Sequence, residues 1–224
     1  PERGRHLGAQ RLLAVVAGIE MRIPRIVVSH RQLSDHKRGS RVLTALENFG
    51  NKHAAGVLVN SEAVRRDILA NDKVDPAKLH RIYNGVVLED FKTVDIEPLR
   101  GELNLSRADL VATVAANLHP YKGHEDLLRA AASLVPRHPN LKILFPGRDQ
   151  GAGPHLRDLI GELKLDKIVC LLGERMDIPD LLQLSDIVVH PSHQEGFSNS
   201  ILEAMAAGKP VVATNVGGNP EQVR

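Results

Sequence analysis

Two glutamates in the C-terminal part of the chain bracket a segment that could bind a polar ligand at both of its ends. Glu195 and Glu203 are eight positions apart, and Gly196 beside the first allows a ligand close to the backbone. The amides that follow open a predicted helix and belong to Phe197, Ser198 and Asn199. Carboxylates accept hydrogen bonds from hydroxyls, and amides at a helix N-terminus bind phosphates. The segment therefore suits a ligand with hydroxyls at both ends and phosphates between them; the alternative is a helix cap followed by a surface charge.

A lysine and a glycine, Lys122 and Gly123, stand where another predicted strand gives way to a helix. The partial positive charge of a helix N-terminus favours anions, and Lys122 adds a full charge at the same place. A diphosphate is the ligand that these two features favour together. The alternative is a solvated lysine in an ordinary strand–helix loop.

A third loop, over residues 145–153, contains Gly147, Gly151 and Gly153 together with Arg148. Glycines let a ligand approach the backbone closely, but most loops of this composition are ordinary turns. The spacing G-x-G-x-x-G of a dinucleotide-binding loop is absent from the sequence. This absence argues against a nicotinamide-dependent oxidoreductase.

Short apolar runs that alternate with helical patterns must position these loops. Strands are predicted at 110–116, 141–145, 168–172, 187–190 and 211–214. Helices are predicted at 123–135, 154–163, 178–185 and 199–207. The alternation is typical of an α/β fold in which helices cover both faces of a parallel sheet and the crossovers are right-handed. Ligands of open α/β sheets bind beyond the carboxyl ends of the strands, where all three loops fall.

The first part of the chain shows the same alternation over fewer strands. These are predicted at 26–29, 56–60 and 79–83, with helices at 12–19, 40–53 and 61–70. Three strands are too few for a complete doubly wound domain, and the mixed, charged stretch 88–107 is interpreted as an interdomain connection. We therefore predict that the chain is a fragment. Residues 1–90 would hold the end of one domain and the start of a linker, and 91–224 a second domain truncated at its C-terminus.

The composition argues against several other classes of protein. The formal net charge is +2, and the chain has no Trp, two Tyr and four Phe, so neither a charged surface nor base-stacking aromatics indicate nucleic acid binding. The single cysteine, Cys170, lies in an apolar run and is predicted to be buried. The histidines show no metal-ligand spacing, and no apolar run is long enough to span a bilayer.

The segment 195–214, EGFSNSILEAMAAGKPVVAT, resembles the signature of the retaining, nucleotide-sugar-dependent glycosyltransferases of the GT-B fold, the group 1 or family 4 type. Three further segments resemble the same family in the same order along the chain: 60–63, 84–86 with Phe91, and 216–221. The resemblance covers nearly the whole chain. It implies two Rossmann-like domains with parallel sheets, of which the N-terminal one is only partly present.

The resemblance also implies a role for each matching residue. Glu195 would contact hydroxyls of the donor sugar, Glu203 would hold the ribose hydroxyls, and Lys122 would neutralise the departing diphosphate. The segment from Gly196 through Phe197 and Ser198 to Asn199 would pass close to the sugar and the phosphates. Arg175 falls where the family's base-binding loop lies. Apart from the resemblance, Gly147 is a candidate site residue because a glycine lets a ligand approach the backbone.

Two positions require separate comment. The family usually has an arginine five positions before the lysine, as a second phosphate cation, whereas this chain has Asn117 there. His119 or Arg148 could compensate for it. His30 closes the first predicted strand and resembles a family histidine that lines the catalytic cleft; the alternative is an ordinary surface histidine.

The implied reaction moves a sugar from a nucleoside diphosphate sugar to an acceptor hydroxyl with retention of the anomeric configuration, in the synthesis of a glycan, polysaccharide or glycolipid. No cofactor or metal ion is expected, because Lys122 and helix amides would stabilise the diphosphate. The expected partners are the donor and a glycan or lipid-linked acceptor, in the cytoplasm or at the inner face of the membrane. A nucleotide-sugar 2-epimerase of the same fold and a non-catalytic sugar-nucleotide-binding module are the rival interpretations.

Overall fold

The computed structural model describes residues 13–34, 40–92 and 94–223 of the chain. These form two compact units, each of which is an α/β structure. The first unit extends to Asn84 and includes Glu195–Phe197, and the second unit comprises Gly85–Gln194 and continues from Ser198.

The first unit contains a parallel sheet of three strands in the order β1-β2-β3. Residues 13–20 are helical (α1), and residue 12 of the predicted helix lies outside the described residues. The elements that follow are β1 (Val27–His30), α2 (Arg41–His53), β2 (Gly56–Val59), α3 (Glu62–Asn71) and β3 (Leu79–Arg81). Ser40 and Ser61 begin α2 and α3 because their hydroxyls accept hydrogen bonds from backbone amides three residues later.

The second unit contains a parallel sheet of five strands in the order β6-β5-β4-β7-β8. Its strands are β4 (Leu110–Thr113), β5 (Leu141–Pro146), β6 (Val169–Gly173), β7 (Ile187–His190) and β8 (Val211–Ala213). Its helices are α4 (Glu97–Glu102), α5 (His124–Leu134), α6 (Gly153–Glu162), α7 (Ile178–Leu184) and α8 (Asn199–Ala206). The predicted parallel sheets are confirmed, and β4 occupies the centre of the larger one.

Alternate residues of the central strands enter the cores on opposite faces of this sheet. Ile143 and Phe145 of β5 pack in a cluster with α5 and α6, whereas Leu144 between them packs in another cluster with Leu181 of α7. This period of two is the reason that buried parallel strands appear in the sequence as continuous apolar runs.

Two predictions made from the sequence differ from the structure. The stretch predicted as a connection contains the helix α4, which contributes Leu99 to the cluster around Leu144, and the next turn adds Leu105. A helix of six residues carries too few apolar positions to show a period. Cys170, predicted to be buried, is only partly buried, because it packs at the edge of the same cluster.

Candidate functional site

The strand order of the second unit reverses between β4 and β7. After β4 the chain adds β5 and β6 on one side of the sheet, then crosses to add β7 and β8 on the other. At such a switch point the adjacent loops diverge to opposite faces, and the crevice between them is the usual ligand site of an open α/β sheet. The loop after β4 carries Lys122, and the loop after β7 leads into α8, which carries Glu203.

Gly123 determines how closely these two loops approach each other. Its φ is +71°, and a Cβ at this position would lie 2.0 Å from the carbonyl oxygen of Pro191 in the loop after β7. The backbone N–H of His193 also donates to the carbonyl oxygen of Tyr121 at 2.8 Å. Only glycine permits this contact, since any side chain would push the two loops apart.

Lys122 ends a short 3-10 turn that begins at Pro120, directly before α5. Its Nζ lies 5.3 Å from the centre of the Tyr121 ring, a distance at which a cation is attracted to an aromatic face. The start of α5 has no side-chain cap among the described residues, and Lys122 lies two positions before its first residue, so a helix N-terminus and an ammonium group are adjacent in the chain.

Two carboxylates in the first turn of α5 have arginine or histidine partners. Glu125 pairs with His155 at 2.8 Å and accepts a hydrogen bond from Arg129 at 2.8 Å, and these contacts, that with His155 first, lower the pKa of its carboxyl. Asp126 pairs with His193. The guanidinium of Arg129 therefore offsets part of the negative charge of Glu125 at the helix start.

His124, the first residue of α5, is buried beneath this loop. Only 2% of it is exposed, and its ring stands edge-on to that of Phe145 with the ring centres 4.8 Å apart. Burial lowers the pKa of His124 to about 4, with a smaller contribution from the charge of Lys122. The imidazole is therefore neutral at pH 7 and acts as part of the core.

Substitution of His124 by leucine is expected to make the fold more resistant to acid. The pKa of His124 is about 4 in the folded chain, against 6.5 for a histidine exposed to water, so the unfolded chain binds an extra proton between these values and stability falls as the pH decreases through them. The shift corresponds to roughly 3 kcal/mol at pH 4, which the wild type loses and the variant keeps. Urea unfolding at pH 7 and pH 4 measures it, with the exposed His138→Leu as the control substitution. Equal losses for the wild type and His124→Leu would contradict the prediction.

Backbone contacts hold the loop after β5 against the loop after β4. A Cβ on Gly147 would lie 2.0 Å from the carbonyl oxygen of Ala116. The side-chain oxygen of Asn117 accepts a hydrogen bond from the N–H of Arg148 at 3.0 Å, and the carbonyl of Arg148 accepts one from Leu118 at 2.9 Å. The structure therefore brings together three predicted site residues at neighbouring strand ends, and it gives the asparagine a role in shaping the loop.

Arg175, in the loop after β6, is engaged by two carboxylates. Its Nε donates to Asp177 at 2.8 Å, and its Nη1 donates to Glu102 of α4 at 2.7 Å. The guanidinium lowers the pKa of Asp177, and the two carboxylates raise the pKa of Arg175. These bonds attach the loop to α4, so in this structure the arginine supports the loop through protein contacts.

Ser198 begins α8, and its backbone is held by a residue that sequence reasoning missed. Its Oγ accepts a hydrogen bond from the N–H of Ile201 at 3.4 Å. The N–H of Ser198 donates to the side-chain oxygen of Gln222 at 3.0 Å, and the amide nitrogen of Gln222 donates to the Ser198 carbonyl at 2.8 Å. One of the amides predicted to face phosphates is thus already used by a protein partner. Asn199 is the first residue of the helix and is exposed. No local pattern indicates Gln222, because it lies 24 positions after its partner.

Glu203 lies on the second turn of α8 and is partly buried. Burial raises the pKa of its carboxyl above the ordinary value. No hydrogen bond or ion pair reaches this carboxylate from the described residues. The desolvation that it suffers would be offset by hydroxyl donors of a ligand.

The remaining predicted residues belong to the first unit. Glu195 is partly buried, whereas Gly196 and Phe197 are buried. His30, at the carboxyl end of β1, is only 4% exposed, so the alternative of an ordinary surface histidine is wrong. Its Nε2 lies 2.9 Å from Oδ1 of Asn51, which accepts a hydrogen bond in the tautomer that carries the proton on Nε2.

Within the described ranges, no group of three or more His, Cys, Asp or Glu side chains could hold a metal ion. None of the helices in the described part of the chain has the length and hydropathy needed to cross a bilayer.

Comparisons of the amino-acid sequence relate this chain to known proteins. Residues 95–224 match the sequence model of the family Glycosyl transferases group 1, and residues 6–90 match that of Glycosyltransferase Family 4. The D-inositol 3-phosphate glycosyltransferase of Mycobacterium sp. (strain KMS) is 32% identical over 174 residues, which are 75% of this chain and 39% of that protein. The chain therefore spans well under half the length of this curated relative.

Structural comparisons agree. Anabaena Alr3699/HepE in complex with UDP-glucose is similar with a TM-score of 0.87 and 29% identity, over 97% of this chain and 60% of that one. A glycosyltransferase from Rickettsia africae has the same fold, with a TM-score of 0.75 at 21% identity over 96% of this chain and 64% of that one. These likenesses confirm the predicted α/β fold of GT-B type. Because one family model covers more than half of its residues, the chain belongs to the family Glycosyl transferases group 1.

Proposed function

We propose that this chain is the donor-binding part of a retaining glycosyltransferase that takes its sugar from a nucleoside diphosphate sugar. The observation that carries the proposal is the meeting of Lys122, the start of α5 and the loop before α8 at the switch point of the larger sheet. The chain resembles Anabaena HepE, whose structures contain UDP or UDP-glucose, and this likeness supports a donor of that class.

The proposed roles follow from the charges and positions of the side chains. Lys122 and the start of α5 neutralise the diphosphate, which gains negative charge as the glycosidic bond of the donor breaks. Glu203 accepts hydrogen bonds from the ribose hydroxyls, a role that its partly buried carboxylate supports. Glu195 contacts the sugar, with the segment Gly196–Asn199 alongside. Retention would be checked by the anomeric configuration of the product.

The rest of the interpretation stays a prediction of the family resemblance. We propose that residues 1–90 belong to the acceptor-side domain and 91–224 to the donor-side domain. The acceptor would be a glycan or a lipid-linked sugar, and the protein would act in the cytoplasm or at the inner face of the membrane. Lys122 and the start of α5 would stabilise the diphosphate, so we propose that transfer needs no metal ion.

Calorimetric titration with UDP, GDP and ADP tests the proposal. At least one is expected to bind, with the same affinity in EDTA and in Mg²⁺. Lys122→Gln should weaken that binding by about ten- to a hundredfold, the value of a charge-assisted hydrogen bond of roughly 1.5–3 kcal/mol. Lys167→Gln, an exposed lysine on the opposite end of the sheet, serves as the matched control and should bind like the wild type. A folded protein that binds none of the three would refute the proposal, and binding that disappears in EDTA would refute its metal-free part.

A further inference from the structure

An exposed ion pair joins the loops that follow β5 and β6. Arg148 donates from Nε to one carboxylate oxygen of Glu174 at 3.1 Å and from Nη2 to the other at 2.5 Å. The two side chains are 55% and 56% exposed. The contact raises the pKa of Arg148, so the guanidinium stays charged whether or not it is paired.

The backbone of Arg148 is fixed, although its side chain is exposed. Its N–H donates to the side chain of Asn117, and its carbonyl accepts from Leu118. The residue before it, Gly147, donates from its N–H to the carbonyl of Gly173 at 2.7 Å. The guanidinium is therefore a cation on a flexible stem that starts from a defined point at the end of β5.

That point lies beside the loop that carries Lys122. β4 and β5 are neighbours in the sheet and run parallel, so Lys122 and Arg148 both follow strands that end at the same edge. Neighbouring strands are only about 4.8 Å apart. A diphosphate at this edge, as the proposed function requires, would lie by two loops that each carry a cation.

Arg148 and Arg175 differ in how firmly protein carboxylates hold them, and this difference indicates which arginine can bind a ligand instead. Arg175 is bound by Asp177 and by Glu102, and only 22% of its side chain is exposed. Arg148 has a single carboxylate partner among the described residues, and an ion pair between two exposed side chains contributes little to stability. A diphosphate offers an arginine more charge and the same two-pronged geometry as a carboxylate. An incoming diphosphate can therefore replace Glu174, whereas it would have to break two contacts to recruit Arg175.

We propose that Arg148 is a second cation for the diphosphate of the donor, and that Glu174 pairs with Arg148 until the donor binds. The inference rests on the proposed function, because it needs a nucleoside diphosphate at the switch point. In the empty site Glu174 balances the charge of Arg148 and competes with the phosphates. When the donor enters, the guanidinium exchanges the carboxylate for a phosphate, and Glu174 becomes solvated.

Four proteins and two ligands test this exchange: the wild type, Arg148→Gln, Glu174→Gln and the double variant, each titrated with UDP by calorimetry and with uridine by NMR. Arg148→Gln is expected to weaken UDP binding about tenfold, as loss of one charged contact does. Glu174→Gln is expected to strengthen it about two- to fivefold, because the competitor is gone. The double variant should match Arg148→Gln, and uridine should bind all four alike.

The outcomes separate this inference from the proposed function. A Glu174→Gln variant that binds UDP as weakly as Arg148→Gln would show that the pair is structural and would overturn the proposal. Unchanged UDP affinity in Arg148→Gln would also overturn it, as would an equal loss of uridine binding. A wild type that does not bind UDP, GDP or ADP would instead reject the function itself. Thermal unfolding of each variant confirms that the exposed substitutions leave the fold intact.

Discussion

Replacing Gly123 with alanine is expected to destabilise the second unit by about 3 kcal/mol and to weaken donor binding at the same time. A residue with a Cβ is strained at a φ of +71°, which costs about 1–3 kcal/mol. The new methyl would also lie 2.0 Å from the carbonyl oxygen of Pro191 and 2.7 Å from its carbonyl carbon. Backbone atoms cannot rotate away, so the loops after β4 and β7 must separate, and relief of such overlap costs a further 1–3 kcal/mol, roughly. Urea unfolding and UDP titration measure the two effects.

Two other glycines provide matched controls for this substitution. Gly151 has a φ of +99°, but a Cβ there would have no atom within 4 Å, so Gly151→Ala reports backbone strain alone. Gly161, in α6, has open space and an ordinary φ, so Gly161→Ala should be neutral or slightly stabilising. If Gly123→Ala behaved like Gly151→Ala and bound UDP normally, the close approach of the two loops would not matter for the site.

Glutamine substitutions at Glu203 and Glu195 are expected to affect different kinetic constants of the full-length enzyme. Ribose hydroxyls do not change during the reaction, so Glu203→Gln should raise the KM for the donor with a smaller effect on kcat. In the proposed roles Glu195 contacts the sugar, on which positive charge develops as its bond to the diphosphate breaks. That contact would strengthen in the transition state, so Glu195→Gln should mainly lower kcat. Each loss of about 1.5–3 kcal/mol corresponds to a factor of roughly ten to a hundred.

The partial burial of Glu203 adds an expectation about where the cost of Glu203→Gln falls. Burial without a partner from the described residues means that the free carboxylate is poorly solvated, so a neutral glutamine should cost less in the empty protein than in the complex. Glu162→Gln, an exposed substitution on α6, serves as the control and should leave both constants unchanged. The assignment is reversed if Glu195→Gln changes KM alone and Glu203→Gln changes kcat alone.

The strands and most helices of the second unit could be predicted from the sequence because each is a local pattern. Buried parallel strands appear as apolar runs such as Leu141–Pro146, and a serine that caps a helix precedes α8. The candidate site could be proposed for a related reason, since ligands of open α/β sheets bind at the loops that follow the strands. Lys122 is therefore predictable as a loop cation without knowledge of its contacts.

Contacts between distant residues could not be predicted in this way. The pairing of Arg175 with Glu102 spans 73 positions, and that of Arg148 with Glu174 spans 26, so neither leaves a periodic trace. The burial of His124 depends on Phe145 from a neighbouring strand. The sequence identifies charged residues near the site, but only the packed structure shows which of these charges are already neutralised by protein partners.

The central position of β4 has a consequence for synthesis of the chain. One neighbour, β5, pairs Leu110 with Leu141 and is made soon afterwards, whereas the hydrogen bond from Val111 to Asp186 beside β7 spans 75 positions. At about 5–20 residues per second, a ribosome needs roughly 4–15 s to make that stretch. Throughout this time one edge of β4 presents unpaired backbone groups that another nascent chain could pair with. The interval between emergence of β4 and emergence of β7 is therefore a stage at which the nascent chain is exposed to aggregation.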